Sequence, residues 1–148
     1  SFQPNSQKNG FEIKGDKVIL SMREESTVKQ RENYVREQYR ILLKAEIERL
    51  LPKWERLTEL YCDSWQTKYM LTRWGTCNTE KKKLWFNLQL AQKPIECLEY
   101  VILHELLHLK ERTHNSVFIS CMDLYMKDWR AVRKELNDLR LDYYNKVE

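Results

Sequence analysis

Residues 94–114 read PIECLEYVILHELLHLKERTH, and the rest of the chain is organised around them. All three histidines of the protein, His104, His108 and His114, lie inside this stretch. The apolar run Val101, Ile102, Leu103, Leu106, Leu107 and Leu109 predicts a helix over residues 95–110. On that helix His104 and His108 are i and i+4, so both imidazoles project from one face, one turn apart. The separation suits two ligands of a tetrahedral zinc, with Zn–N bonds of about 2.0–2.1 Å. Glu105 sits one residue round the helix, beside the metal rather than on it, where it can take a proton from a water held by the metal. His114 closes the site as a third ligand if the helix ends between it and His108. The fourth position stays open for water, as in catalytic rather than structural zinc sites. The plain alternative is a packed core histidine. The gathering of every histidine at ligand spacing outweighs it.

Working upstream, Leu84 to Leu90 (LWFNLQL) predicts a strand, and Trp65 to Trp74 predicts its antiparallel partner. Gly75 to Thr79 is expected as the turn between them. Pro94 suits the first turn of the motif helix. Further back, Val28, Tyr34, Val35, Ile41, Leu42, Ala45, Leu50 and Leu51 predict a long helix with an apolar stripe, capped by Ser26 or Thr27. Pro52 is expected to kink or restart it. A second segment follows with Trp54, Leu57 and Leu60. Phe11 to Met22 predicts a hairpin turning at Gly15-Asp16, and residues 1–10 are expected to be loose. Downstream, Glu111-Arg112-Thr113 breaks the motif helix. Asn115 or Ser116 caps a last helix carrying Val117, Phe118, Cys121, Met122, Leu124, Tyr125 and Trp129 to about residue 144.

Length and composition set the class. With 148 residues, 42% hydrophobic and 32% charged, the chain is expected to be one globular α+β domain over residues 1–148. No apolar run reaches the ~18 residues of a membrane span and no signal peptide is visible, which predicts a cytoplasmic protein with no membrane partner. Cys62, Cys77, Cys97 and Cys121 include no C-x-x-C pair and are expected as free thiols. Net charge is +4 from 26 basic and 22 acidic residues, which permits nucleic-acid contact without indicating it.

With these elements laid out, the chain resembles the YgjP-like metal-dependent hydrolases, relatives of the SprT and Wss-type zincin metallopeptidases. The likeness rests on Arg73-Trp74-Gly75-Thr76-Cys77, Asn87, Pro94, Tyr100-Val101, His104-Glu105-Leu106-Leu107-His108-Leu109, His114, Phe118 and Tyr125-Met126-Lys127-Asp128-Trp129. It covers about residues 65–136, in order and at the family's spacing. The resemblance implies a minimal zincin-like domain. Its parts are a long N-terminal helix, a small antiparallel sheet, the HExxH active-site helix and a C-terminal helix. It also implies His104, His108 and His114 as zinc ligands, Glu105 as general base, and a peptide or protein substrate. The family usually has Ser where Thr76 stands. Its Trp-Arg after the strand Asn is Leu88-Gln89 here, so no role for that Arg carries over. Glu111 replaces the Gly that metzincins use between their second and third His.

The expected activity is zinc-dependent hydrolysis, with peptide bonds the leading substrate. Alternatives are hydrolysis of a nucleotide phosphoanhydride, a DNA-associated SprT-like protease, and a metal-stabilised domain without turnover. Lys81-Lys82-Lys83 could attract phosphate, although a charge run at a turn is usually a solvated tip. Arg73, Asn87 and Tyr100 are candidate oxyanion or substrate groups, because they lie on elements next to the motif helix. Their plain readings are a salt-bridged strand end, a strand-edge hydrogen bonder and core packing. As an edge strand, residues 84–90 would hold an extended peptide, walled by Trp85 or Trp74. Glu111 or Asp123 is a candidate carboxylate partner for a ligand imidazole.

Overall fold

The computed structural model describes residues 27–138, together with the backbone of the strands Phe2–Gln3, Gly10–Lys14 and Lys17–Ser21. The chain forms two compact units, Ser1–Ile41 and Leu42–Glu148.

In the first unit, β2 (Gly10–Lys14) and β3 (Lys17–Ser21) make the expected hairpin, paired from Gly10↔Ser21 to Lys14↔Lys17. β1 (Phe2–Gln3), in a region expected to be loose, runs parallel to β3, with Phe2 opposite Leu20. The long helix α1 (Val28–Thr58) then begins. Of its two expected caps, Thr27 serves and Ser26 lies outside the described residues. Thr27 Oγ1 accepts from Gln30 N (3.1 Å), and Gln30 Oε1 accepts from Thr27 N (2.8 Å). This reciprocal box satisfies backbone donors that a helix start leaves unpaired.

In the second unit α1 buries Leu43, Ile47, Leu50, Leu51 and Trp54. Of the stripe expected from sequence, Leu50 and Leu51 are buried, whereas Val28, Ile41 and Leu42 are exposed. A densely charged helix has several apolar rows, and only packing selects one. The helix also runs on through Pro52 as one element. Glu99 ties it to the motif helix, taking hydrogen bonds from Lys53 Nζ (2.7 Å) and Trp54 Nε1 (3.1 Å).

The second unit's sheet is mixed, with order β4-β6-β5. β6 (Lys83–Asn87) is central; β4 (Ser64–Lys68) pairs with it in parallel and β5 (Gly75–Asn78) antiparallel. Four expectations change, the first being that β4 runs parallel and not antiparallel to β6, so the small sheet is mixed and not antiparallel. The strand over 65–74 ends at Lys68. The expected turn 75–79 is mostly strand, and the real turn follows at residues 79–82, with Asn78 Oδ1 accepting from Lys81 N (3.0 Å) and Lys82 at φ 49°. β6 ends at Asn87, where the chain tightens into a 3-10 turn over Leu88–Gln92.

Asn87 explains much of this. It is fully buried, and its side chain donates to the carbonyls of Met70 (2.9 Å) and Arg73 (2.6 Å) and accepts from Gln89 N (2.9 Å). The Met70 and Arg73 carbonyls thus take a side chain as their partner in place of a strand ladder, while the buried Trp74 Nε1 has no hydrogen-bond partner.

The motif helix α2 (Ile95–Leu107) packs against β5, β6 and two further helices, α3 (Ser116–Tyr125) and α4 (Trp129–Asp138). Every residue from Tyr100 to Leu107 is buried. A helix buried on all faces is a core helix, and its apolar sequence follows from that. The single last helix expected from sequence is two, separated by Met126–Asp128. Asp123 fixes the bend by accepting from Trp129 Nε1 (2.8 Å) and Arg130 (2.7 Å). The expected continuation beyond residue 138 lies outside the described residues. The architecture is α+β, as expected. Among the described residues no helix is long and apolar enough to cross a membrane.

Candidate metal centre and adjoining cavity

α2 carries His104 and Glu105 into the interior, each 3% exposed. His108 caps the helix. The chain then closes tightly, with Leu109 N bonded to Leu106 O (2.9 Å) and both Lys110 N and Glu111 N to Leu107 O (3.0 and 2.9 Å). The ending brings exposed His114 back over the other two rings. The three Nε2 atoms converge, at 3.2 Å for His104–His108, 3.2 Å for His104–His114 and 3.1 Å for His108–His114.

This set fits one metal ion. Ligand atoms about 2.0–2.1 Å from a tetrahedral centre lie about 3.3–3.4 Å from one another, close to the separations observed. A neutral imidazole nitrogen is either donor or acceptor, so three Nε2 atoms facing each other cannot all be satisfied by hydrogen bonds. A cation resolves the conflict. Among the described residues, His104, His108 and His114 are the group of three ligand-type side chains close enough to hold an ion.

The opposite ring edges are fixed as such ligands require. His108 Nδ1 lies 3.0 Å from the carbonyl oxygen of Glu111 and donates to it, leaving Nε2 a bare lone pair. His104 Nδ1 lies 3.4 Å from the Tyr100 hydroxyl. The expected carboxylate partners do not serve. Glu111 contributes its main chain, and the Asp123 carboxylate holds Trp129 and Arg130. Those two bonds hold Asp123 below the usual carboxylate range. Phe118 is a partner that spacing analysis leaves without a role. Its ring packs 4.9–5.1 Å from all three imidazoles, on a helix start capped by Asn115 Oδ1 from Phe118 N (2.9 Å).

The three oxyanion candidates separate. Tyr100 is 1% exposed, stacks on Trp129 (6.5 Å, 5° between planes) and stands behind His104. Burial holds its hydroxyl protonated well above the usual tyrosine range. Asn87 is committed to the 69–74 segment and the 3-10 turn. Arg73 alone lines the cavity beside Glu105. This cavity, of about 300 Å³, is bounded by Arg73, Gly75, Thr76, Cys77, Thr79, Glu105, His108 and Arg112.

Gly75 is what lets β5 lie so close to α2. A Cβ there would stand 2.8 Å from Val101 Cγ1 and 3.1 Å from Glu105 Oε2. Its sequence reading as a turn glycine was reasonable, but close approach is the physical requirement. Cys77, two residues on, is a thiol pushed up to about 12 by burial and then by the charge of Glu105. Trp74 is fully buried, with Lys93 Nζ 5.8 Å from its ring centroid. Half-buried Trp85 lines an open depression on the far side of β5. The expected peptide edge at residues 84–90 is in fact the central strand, and β5 is the edge nearest Glu105.

Residues 1–139 match the family described as YgjP-like, metallopeptidase domain. No curated protein matches the chain in sequence. Among solved structures, that of the metallopeptidase zymogen of Pyrococcus abyssi abylysin is similar, with a TM-score of 0.60 and 16% identity over 68% of this chain and 99% of that one. At that identity the likeness concerns the fold.

Proposed function

The chain belongs to the YgjP-like metallopeptidase family, and from that premise we propose that it is a zinc-dependent peptidase. In this reading His104, His108 and His114 hold the ion and Glu105 is the general base. The convergence of the three Nε2 atoms beside a buried glutamate that opens on a cavity carries the proposal. A zinc ion held there supplies Lewis acidity to the scissile carbonyl and to the attacking water. Glu105 takes the proton of that water and passes it to the leaving amine. Gly75, by lacking a Cβ, leaves room for the Glu105 carboxylate between β5 and the cavity it lines. Glu111, through its carbonyl, and Tyr100, through its hydroxyl, hold two of the imidazoles with Nε2 turned inward.

The free edge of β5 is the proposed seat for an extended peptide. Main-chain pairing there would lay a peptide alongside Glu105. The test is mass spectrometry of a peptide library after incubation with zinc-loaded protein and with its Glu105→Gln form. Cleavage by the first, reduced at least about 10²-fold in the second, is the expected result. Intact peptides throughout would sink the reading.

A further inference from the structure

Two arginines outside the histidine triad line the cavity beside Glu105. Arg73 and Arg112 reach it from opposite sides of the sequence motif, one before β5 and one after α2. Both are set on anchored backbone. The Arg73 carbonyl accepts from the fully buried Asn87 amide at 2.6 Å. Arg112 follows Glu111, whose N–H and carbonyl are bonded to Leu107 O (2.9 Å) and His108 Nδ1 (3.0 Å). The other polar walls include the hydroxyls of Thr76 and Thr79, and Glu105 is the single carboxylate. The depression across β5 differs, since its charged wall is Glu80. Two arginines against one carboxylate therefore line the cavity beside Glu105, and one carboxylate without an arginine lines the other depression.

We infer that this cavity is a specificity pocket for a carboxylate next to the scissile bond, read by Arg73 and Arg112. The inference rests on the peptidase reading above and deepens it. A guanidinium presents forked donors that match a carboxylate, and a partly enclosed site strengthens such bonds over those in water. The carboxylate can come from an Asp or Glu side chain or from a free C-terminus; the chemistry is the same.

The test uses matched fluorescent peptides: one with an internal Glu and an amidated end, one neutral with a free C-terminus, one neutral and amidated, and one with Lys in place of Glu. Binding to zinc-loaded Glu105→Gln protein is read by anisotropy, and cleavage by wild-type protein is followed in parallel. The expected result is at least about tenfold tighter binding of a carboxylate peptide than of the neutral amide, lost in Arg112→Gln. Arg112→Glu should invert the preference towards the Lys peptide. Lys110→Gln, which removes a charge outside the cavity, should leave it intact. Which of the two acidic peptides binds identifies the source of the carboxylate. In wild type the preference should appear in KM. An Arg73→Gln change that lowered kcat equally on every peptide would make Arg73 an oxyanion donor and overturn its place here.

Equal binding of all four peptides, or no binding of any, overturns the inference. So does inorganic pyrophosphate displacing the acidic peptide at lower concentration than free glutamate-containing peptide does. Indiscriminate cleavage with no carboxylate preference would leave the peptidase reading standing without this pocket. Carboxylate-selective binding with no cleavage would leave the pocket and remove the peptidase.

Discussion

Helix α2 and the segment after it, residues 108–115, deliver the same triad by opposite means. α2 is buried from Tyr100 to Leu107, and His104 and Glu105 are held by packing on every side. The following segment is largely exposed, and His114 reaches the centre with Phe118 beneath its ring. The first half of the site is therefore rigid before an ion arrives. The second half is aligned by a tight helix ending and a capped helix start. On the proposed reading, such a division fixes the base by packing and leaves the last ligand on an exposed, local segment.

Substitutions in the two regions give the largest expected contrast. His104→Ala should cost the metal-free protein about 2–4 kcal/mol, as removal of a buried ring does, whereas His114→Ala should cost under about 0.5 kcal/mol. Both should lose zinc affinity by more than about 100-fold, since even outer partners of a metal site cost 10–100-fold. Thermal melts of the apo forms and competitive zinc titration check both halves. Equal melting losses would break the comparison. A related outcome is that zinc removal by chelator exposes residues 109–115 to hydrogen exchange and leaves α2 protected.

Gly75→Ala probes the rigid side. The added methyl meets Val101 at 2.8 Å and Glu105 at 3.1 Å, so β5 must move. The expected cost is about 1–3 kcal/mol, with a fall in turnover larger than the fall in zinc affinity. Denaturant titration and kinetics separate the two, and unchanged turnover would show that Glu105 tolerates the shift.

Tyr100→Phe removes the hydroxyl behind His104. Zinc affinity should drop by up to about tenfold, the low end for a ligand's hydrogen-bond partner, because the contact is 3.4 Å long. A loss confined to stability would make Tyr100 a packing residue only.

The smallest effect concerns Cys77, whose thiol is pushed up to about 12 by burial, with Glu105 and Cys62 adding to the shift. The folded state holds this proton more tightly than the unfolded chain, with its ordinary value near 9. Its contribution to stability is thus full below pH 9 and is lost as pH rises towards 12. Alkylation of native Cys77 should be slow at pH 8 and accelerate by about tenfold per pH unit up to about 12. Rapid alkylation at pH 8, read by peptide mapping, would contradict it. Glu105→Gln should increase the rate, because it removes one source of the shift.

What was legible in the sequence shared one property: its information was local. His104 and His108 are one helical turn apart, Glu105 adjoins them, and the N-terminal hairpin and the Thr27 cap each span a few residues. Spacing along one element fixes direction, so periodicity alone placed these groups on common faces. The rest depended on pairings between distant segments, which a single sequence does not encode. Gly75 reads equally as a turn glycine or a close-approach glycine until α2 is beside it. Asn87 reads as a possible oxyanion donor until residues 70 and 73, 17 and 14 positions away, claim its amide. β4 and β6 pair in parallel with β5 on the outside, an order that alternation cannot predict because it marks faces and not neighbours. Arg112 looked like part of a helix break, and the fold put it in the wall of the cavity. The sequence by itself determined the gathering of the three histidines and the glutamate beside them, because helical geometry is set residue by residue. Only the tertiary structure decided the edge strand, the imidazole partners and the charge of the pocket, because those follow from which surfaces pack together.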